Sequence, residues 1–345
     1  MSTKVSKKFN PATTNARASK VPMKVLARTG DSMPVLGLGM WKVPKDVTAQ
    51  CVIDAIEAGW RHFDCACDYG NEKEVGDGIR QAISSGSVTR EELWVTSKLW
   101  NTYHNPEHVL QACNKSLEDL GLDYLDLYLI HFPISLKFVP FEERYPPEWI
   151  HAPNEPNPRM EFANEPLHKT WAAMEALVDN EKVRNIGMCN IGMCMLSDML
   201  SYAKYAPQVL QVEIHPYNTQ EYLSRYCNEK DVFVTGFSPL GAGSYVELNM
   251  ATSNQSALLE KVVTDLGTKY NCSPAQVILK WGVQCGRSVI PKTTKKERLI
   301  ENIELFSFDL TEDECKSISD LNKNMRFNDP GEFCQGMGAF CPIYN

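Results

Sequence analysis

The 345-residue sequence lacks any apolar run that approaches the roughly 20 residues of a membrane-spanning helix. It also lacks a surplus of positive charge, because 35 Lys and Arg are outnumbered by 43 Asp and Glu. The first absence argues against a membrane protein. The net charge of -8 argues against nucleic acid or an anionic membrane surface as a partner. We therefore expect a cytoplasmic protein that acts on a small molecule, as a monomer or a homodimer.

The chain has 12 cysteines, but they do not show the spacing of zinc ligands. Several of them, including Cys113, Cys189 and Cys285, lie inside runs typical of strands or helices. Cys65 and Cys67 are separated by a single residue beside a predicted strand, which is not the spacing of paired zinc ligands. We therefore predict reduced thiols and no metal site.

Acidic residues are absent from the first 24 positions, which contain several Lys and Arg. An organellar transit peptide shares this bias with a solvated tail. The segment shows no amphipathic periodicity, and Pro11, Pro22 and the many Ser, Thr and Asn residues favour the tail. We predict a disordered extension over residues 1–22, followed by a single domain over residues 23–345.

Beyond this extension, short apolar runs alternate with segments of helical spacing. The predicted strands cover residues 35–41, 61–66, 93–99, 124–132, 183–190, 209–215, 232–240 and 287–292. The predicted helices cover residues 47–58, 72–84, 106–120, 167–180, 194–205, 220–229, 257–270, 273–285 and a stretch from 296. Eight strand–helix units predict an α/β fold of the closed (β/α)8 TIM-barrel type, which needs roughly 250 residues. A turn signal at residues 29–31 predicts a β-hairpin ahead of the barrel.

An open, doubly wound sheet that binds a dinucleotide is the alternative to the barrel. Its glycine fingerprint, G-x-G-x-x-G, is incomplete in this chain. The segment GLGMWKVP lacks the third glycine and places Pro44 where a helix should already have begun. The barrel is therefore the preferred fold.

One segment, residues 133–165, interrupts the alternation and is rich in Pro, aromatic and charged residues. Long irregular loops inside compact repeats are usually functional or disordered. The aromatic content of this one favours an ordered loop near a site. For the tail at residues 326–345 two placements stay open, over that site or away from it.

Three titratable residues close the second, third and fourth predicted strands, namely Asp64, Lys98 and His131, and Tyr69 follows Asp64 by five residues. The carboxyl ends of barrel strands meet at one face, with neighbouring strands about 4.8 Å apart, so the four side chains can meet. Hydride addition to a carbonyl leaves charge on oxygen and requires a proton donor. We expect Tyr69 to be that donor, with its pKa lowered from about 10 by the Lys98 ammonium.

In this interpretation Asp64 keeps Lys98 in place and charged, and His131 orients the substrate oxygen. Each residue also has a structural explanation. Asp64 and Lys98 alone could be a structural ion pair, His131 a core histidine and Tyr69 a packing residue. Aldolases and isomerases with barrel folds also use Lys and Asp at strand ends, so the four residues do not single out a reductase.

Seven motifs occur in order along the chain: HFDCACDYGNEKEVG, TSKLWN, LIHFP, RNIGMCN, QVEIHPY, GFSPLG and VIPKTTKKERLIEN. In these motifs the chain resembles the aldo-keto reductase family from about residue 23 to about residue 330. DYGNEKEVGDG, LKFVPFEERYPP and RFNDP are similar to the yeast-type xylose reductases within it. The resemblance implies a (β/α)8 barrel whose base is closed by the hairpin, and NAD(P)H bound without a Rossmann domain. It also implies Tyr69 as general acid, tuned by Lys98 and Asp64, and His131 as the orienting group.

The resemblance further implies a set of cofactor contacts. Asn190 and Gln211 match residues that hydrogen-bond the nicotinamide carboxamide. Cys189 replaces the family's Ser, which weakens one such bond, and Phe237 supplies the ring that stacks on the nicotinamide. Ser238 and Leu240 would lie along the pyrophosphate. Glu301 and Asn302 would lie near the adenine.

The choice between the two nicotinamide cofactors follows from a basic segment. Lys292, Thr293 and Arg298 resemble the residues that surround the adenosine 2′-phosphate in the family. A cationic fork and a hydroxyl suit a phosphate, so NADPH is favoured. Glu247 resembles a carboxylate that binds the ribose hydroxyls of NADH, which makes NADH a second cofactor. A solvated basic helix start is the alternative explanation of KTTKKER.

The implied substrate pocket is lined by Trp41, Trp100, Phe132 and Asn328. Aromatic walls with a few polar groups suit a small aldehyde, and D-xylose, reduced to xylitol, is the preferred substrate. A sugar-6-phosphate reductase and a broad carbonyl reductase are the enzyme alternatives. A catalytically idle family member that acts as a cofactor-binding or structural protein is the non-enzyme alternative.

Overall fold

The structure, a computed structural model, describes residues 21–344. Residues 1–20, and with them most of the predicted extension, lie outside the described part. Val21 is only 4% exposed, and the Pro22 carbonyl accepts a hydrogen bond from the Val35 N–H at 3.0 Å. Packed chain therefore begins ahead of the predicted domain start at residue 23.

An antiparallel hairpin, β1 (Met23–Val25) and β2 (Ser32–Pro34), precedes the main sheet. The turn between these strands contacts residues at or near the start of later strands. The Arg28 N–H donates to Gln208 Oε1 at 2.8 Å, and the Thr29 hydroxyl donates to Asn185 Oδ1 at 2.9 Å. The hairpin therefore covers the amino-terminal end of the main sheet, as predicted.

Eight parallel strands form that sheet and neighbour one another in chain order. They are β3 (Leu38–Gly39), β4 (His62–Asp64), β5 (Trp94–Leu99), β6 (Leu125–Ile130), β7 (Val183–Cys189), β8 (Val209–Glu213), β9 (Phe233–Phe237) and β10 (Ser288–Ile290). A parallel bridge between Leu36 and Val289 joins the two edges, and the Gly37 N–H donates to the Val289 carbonyl at 3.0 Å. The sheet closes into a barrel, which confirms the predicted fold.

Helices follow the strands and cover the outside of the barrel. They are α1 (Lys45–Ala58), α2 (Glu72–Ser84), α3 (Pro106–Leu120), α4 (Leu167–Asp179), α5 (Met193–Tyr202), α6 (Glu221–Glu229), α7 (Lys261–Tyr270), α8 (Pro274–Gln284), α9 (Lys296–Ile303), α10 (Glu312–Ser319) and α11 (Pro330–Phe333). Every residue of β5 to β8 is buried, because these strands are covered on both faces. Burial on both faces explains why these strands appear as continuous apolar runs in the sequence.

The predicted helix over residues 257–270 is wrong in its first part. Glu260 is extended, with φ -64° and ψ 135°, and separates a 3-10 turn at Ala257–Leu259 from α7. The Glu260 carboxylate accepts the Tyr217 hydroxyl hydrogen at 2.5 Å. This contact with a distant residue holds Glu260 outside the helix. The spacing of apolar residues in the segment gives no sign of the break.

The long loop at residues 133–165 is ordered and is tied to the barrel and to the tail. The Lys137 N–H donates to the Glu161 carbonyl at 2.8 Å, which joins the two arms of the loop. The Met160 N–H donates to the Met337 carbonyl at 3.0 Å. Loop and tail therefore form one layer over the same end of the barrel.

Across residues 21–344, no helix combines the length and the apolar character needed to cross a membrane. In the same part of the chain, no three His, Cys, Asp or Glu side chains gather as they would around a metal ion. The twelve cysteines are free thiols, and most of them are buried.

Candidate active site

Strand ends bring the four predicted titratable residues to one place. Asp64 is the last residue of β4, Lys98 lies one position before the end of β5, and His131 directly follows β6. Tyr69 ends a 3-10 turn that begins at Cys67, soon after β4. Because β4, β5 and β6 are parallel neighbours in the sheet, their carboxyl ends place these side chains side by side.

The Lys98 ammonium is the centre of the cluster and is fully buried. Its Nζ donates to Asp64 Oδ1 at 2.5 Å, to the Cys65 carbonyl at 2.8 Å and to the Tyr69 hydroxyl oxygen at 3.0 Å. Gln211 Nε2 donates to the other Asp64 oxygen at 2.6 Å. The carboxylate is therefore held from two sides, and one ammonium connects it to the phenol.

Electrostatics fix the proton states of the ammonium and the phenol. Burial alone would lower the pKa of Lys98, but Asp64 and Tyr69 raise it above its ordinary value, so the group stays charged. Burial raises the pKa of Tyr69 by more than the Lys98 ammonium lowers it. The predicted net lowering is therefore wrong, because desolvation outweighs the cation. The phenol is protonated at neutral pH.

His131 is a neutral imidazole at neutral pH, since burial and the nearby Lys98 charge hold its pKa well below the ordinary value. Its ring lies edge-on to the Tyr69 ring, with centroids 5.8 Å apart. Its Nδ1 atom is buried and has no hydrogen-bond partner within residues 21–344. A neutral imidazole beside a phenol can donate one N–H to an oxygen that the phenol also reaches.

Aromatic rings form a wall next to His131. Two predicted pocket residues, Trp100 and Phe132, are buried there with centroids 6.2 Å apart. Trp149, from the long loop, lies 4.9 Å from Trp100, and Phe333, from the tail, lies 5.2 Å from Trp149. Sequence reasoning missed Trp149 and Phe333. The aromatic content of the loop was the available signal for the first.

The other two predicted pocket residues lie nearer the tail. Trp41 is partly exposed and has its ring 5.8 Å from that of Tyr245. The Asn328 N–H donates to Glu213 Oε2, and the Phe327 N–H donates to Glu213 Oε1, both at 2.8 Å. Glu213 is fully buried at the end of β8. It anchors the tail over the barrel, and its signal in the sequence was an acidic residue ending a strand.

Asn190 and Cys189 lie at the end of β7, against the tail. Asn190 Nδ2 donates to the His131 carbonyl at 2.8 Å, and Asn190 Oδ1 accepts the Tyr344 hydroxyl hydrogen at 2.9 Å. Burial raises the pKa of the Cys189 thiol, so it stays protonated. The tail thus folds over the site, the first of the two placements left open, and Tyr344 is a contact that no sequence motif indicated. Arg326 covers its ring, with the guanidinium 3.5 Å from the ring centroid.

The segment after β9 carries the predicted pyrophosphate positions. Phe237 ends the strand, Ser238 has a left-handed φ of 48°, and its Oγ lies 2.8 Å from the Tyr245 hydroxyl. Leu240 is partly buried against the core. Glu247, predicted to bind ribose hydroxyls, is paired with Lys42, whose Nζ lies 2.6 Å from its Oε1.

The residues predicted around the adenosine lie in the connection between β10 and α9 and within α9. Lys292 and Arg298 are exposed, whereas Thr293 is 5% exposed and its Oγ1 accepts the Lys295 N–H at 3.1 Å. The two residues predicted near the adenine are less exposed than Lys292 and Arg298. Glu301 accepts the Ser273 hydroxyl hydrogen, and Asn302 is buried. Two cations therefore face solvent beside a buried threonine.

Comparison with known proteins gives a consistent result. The model of the aldo/keto reductase family matches residues 35–323. A protein of Aspergillus clavatus named "Probable NAD(P)H-dependent D-xylose reductase" is 44% identical over 329 residues, covering 93% of this chain and 98% of that protein. An "NADPH-dependent aldose reductase" of Saccharomyces cerevisiae is 45% identical over 317 residues, covering 90% of this chain and 97% of that protein.

Among solved structures, the aldose reductase from Schistosoma japonicum is 35% identical and superposes with a TM-score of 0.77. The match covers 87% of this chain and 92% of that one. Family model, relatives and barrel agree over most of the chain. The chain belongs to the aldo/keto reductase family.

Proposed function

We propose that this protein reduces the aldehyde group of an open-chain aldose, D-xylose to xylitol, with NADPH as the preferred reductant and NADH as a second one. The contact of the buried Lys98 ammonium with both the Asp64 carboxylate and the Tyr69 hydroxyl carries the proposal. A structural ion pair needs only the first contact. The second places a phenol beside a neutral imidazole, where a carbonyl oxygen can meet both.

The residues around the site fit a nicotinamide dinucleotide. Asn190 Oδ1 accepts a hydroxyl hydrogen from Tyr344, so the same oxygen can accept an amide N–H. Lys292 and Arg298 are exposed cations of the kind that bind a 2′-phosphate. Reduced nicotinamide supplies a hydride when bound. The chain itself binds the cofactor, orients the carbonyl and delivers the proton.

Proton delivery follows from the proton states of the cluster. Tyr69 holds its proton at neutral pH, and the proton moves to the carbonyl oxygen as negative charge develops there. Lys98, 3.0 Å from the Tyr69 oxygen, stabilises the phenolate left behind, and Asp64 keeps Lys98 in that position. His131 donates an N–H to the same carbonyl oxygen and orients it.

The substrate assignment rests on the pocket wall and on the relatives. Trp100, Phe132 and Trp149 form an aromatic wall beside His131. Such a wall suits the carbon chain of a small aldehyde. The two curated relatives are named for D-xylose and for aldoses.

The test measures the loss of NADPH absorbance with D-xylose, glucose 6-phosphate and a simple aldehyde. We expect turnover of D-xylose, which Tyr69→Phe abolishes while NADPH binding remains. Tyr205→Phe is the matched control, because it removes a hydroxyl that bonds Asp179 outside the tetrad, and it should keep wild-type turnover. Substantial turnover by Tyr69→Phe would refute the general-acid role. A preference for glucose 6-phosphate would assign the sugar-6-phosphate alternative.

A further inference from the structure

A cavity of about 680 Å³ lies at the end of the barrel opposite the tetrad. Its wall includes residues 24–27 of the hairpin, residues 231–234 around the start of β9, and residues 285–287 directly before β10. The last two segments lie at the amino-terminal ends of barrel strands, which is the end that the hairpin covers. The cavity is therefore separate from the candidate active site, and an inference about it does not rest on the proposed reductase function.

One buried cation in this wall has no counter-charge among the residues that the structure describes. Arg287 is 6% exposed, and its guanidinium packs on the Trp281 ring, 5.2 Å from the centroid. Its Nε and Nη1 atoms are buried and have no hydrogen-bond partner within residues 21–344. Ser224 Oγ, in the same wall, is also buried and has no partner there. Buried charges are normally paired, so this arrangement indicates a missing anion.

Within residues 21–344, no carboxylate forms an ion pair with Arg287. The residues ahead of Val21 contain no Asp or Glu, so they have no side-chain carboxylate to offer. Three carboxylates of the cavity wall, Glu221, Asp231 and Asp320, are exposed at the rim, and Asp320 is paired with Lys316 at 2.6 Å. Burial lowers the pKa of Arg287, and Cys285 and Glu221 raise it by less than burial lowers it. As far as the described part of the chain is concerned, the guanidinium is therefore available to a ligand.

We propose that this cavity binds a phosphate group, carried by a small organic ester. A guanidinium offers N–H donors in a planar fork that matches phosphate oxygens, and a serine hydroxyl adds a further donor. Lys24 contributes a second positive charge at the rim. The apolar side chains of Val25, Val232 and Phe233 complete the wall and leave room for an organic part beyond the phosphate itself.

The experiment uses the full chain with saturating NADP+, which fills the dinucleotide site and keeps phosphate away from Lys292 and Arg298. The melting temperature is followed against ribose 5-phosphate, inorganic phosphate and ribose, with ionic strength held constant by KCl. We expect saturable stabilisation by ribose 5-phosphate that exceeds any effect of ribose, which the candidate active site can also bind as an aldose. An equal response to inorganic phosphate assigns the free ion as the ligand, and a weaker one assigns the ester. No saturable response to either overturns the proposal.

Variants locate the response. Arg287→Met should weaken the apparent affinity at least about tenfold, and Ser224→Ala should weaken it less, since one neutral donor is lost. Arg80→Met removes an exposed arginine on α2, outside the cavity wall, and should change nothing. If Arg287→Met and the wild type respond alike, the site is refuted. Ser224→Ala keeps the test valid should the arginine variant not fold.

The melting temperature of Arg287→Met without phosphate distinguishes a free guanidinium from one that is paired and serves the fold. Removing an unpaired buried charge should leave the melting temperature without phosphate unchanged or raise it. If Glu221 instead turns inward and pairs with Arg287 in solution, both Arg287→Met and Glu221→Gln lower it, and the proposal fails. With the guanidinium unpaired, Glu221→Gln tightens ribose 5-phosphate binding, because a rim carboxylate no longer repels the phosphate.

Discussion

Replacing Lys98 with Met tests the central contact, because the ammonium both stabilises the fold and supports catalysis. Its Nζ lies 2.5 Å from Asp64 Oδ1 and 3.0 Å from the Tyr69 oxygen. At 3.0 Å and an effective dielectric constant of about 20, its attraction to a phenolate is about 5.5 kcal/mol, or about four orders of magnitude in rate at most. General acid catalysis typically contributes about 10²–10⁴-fold, so we expect kcat to fall about 10³-fold.

The same replacement leaves the Asp64 carboxylate, 1% exposed, without its cation. Breaking a buried pair in this way costs about 3–5 kcal/mol. Gln211 still donates to Asp64 at 2.6 Å, so we expect a value near the lower end. Adding Asp64→Asn removes the buried charge and should restore most of the unfolding free energy. It should not restore turnover, because Tyr69 still has no ammonium beside it.

Urea unfolding and NADPH consumption with D-xylose are measured in parallel on the wild type, Lys98→Met and the double variant. Lys280→Met is the matched control, since it removes another buried lysine, paired with Asp309 at 2.8 Å and outside the tetrad. It should lower stability without changing kcat. Recovery of turnover together with stability in the double variant would show that Lys98 acts only as a structural residue.

Three further results are expected. Arg298→Ala should raise the KM for NADPH at least about tenfold more than the KM for NADH, because only NADPH carries the 2′-phosphate; equal increases would refute that contact. Tyr344→Phe should tighten NADPH binding about fivefold, measured by fluorescence titration, because the hydroxyl bond to Asn190 that competes with the carboxamide is worth about 1 kcal/mol; unchanged affinity would show that the tail does not compete. The alkaline limb of kcat/KM should lie above pH 10, the ordinary pKa of tyrosine, because burial raises the pKa of Tyr69 and the acid form persists; a limb below pH 10 would mean that Lys98 outweighs burial.

Much of the fold could be predicted because its signals are local. Buried parallel strands give continuous apolar runs and surface helices give a 3.6-residue spacing, so the eight units and their order are visible in the sequence. Element ends were less predictable. The break at Glu260 depends on a hydroxyl from Tyr217, which is distant in the chain.

The tetrad was predictable for a related reason. Asp64, Lys98 and His131 each stand at or next to the end of an apolar run, and the barrel topology alone then brings strand ends together. Glu213 has the same signature and was missed, because its partners are backbone N–H groups of the tail. Contacts of this kind leave no side-chain pattern in the sequence.

The residue types at the strand ends can be read directly from the chain, and they define the chemistry open to the candidate site. Tertiary structure decided the quantities that depend on burial and on distant neighbours. Burial reversed the expected shift in the pKa of Tyr69, and folding of the tail placed Tyr344 on Asn190. It also left Arg287 buried with no counter-charge from any other residue between 21 and 344. Desolvation and long-range contacts arise only when the chain closes on itself, so no local pattern encodes them.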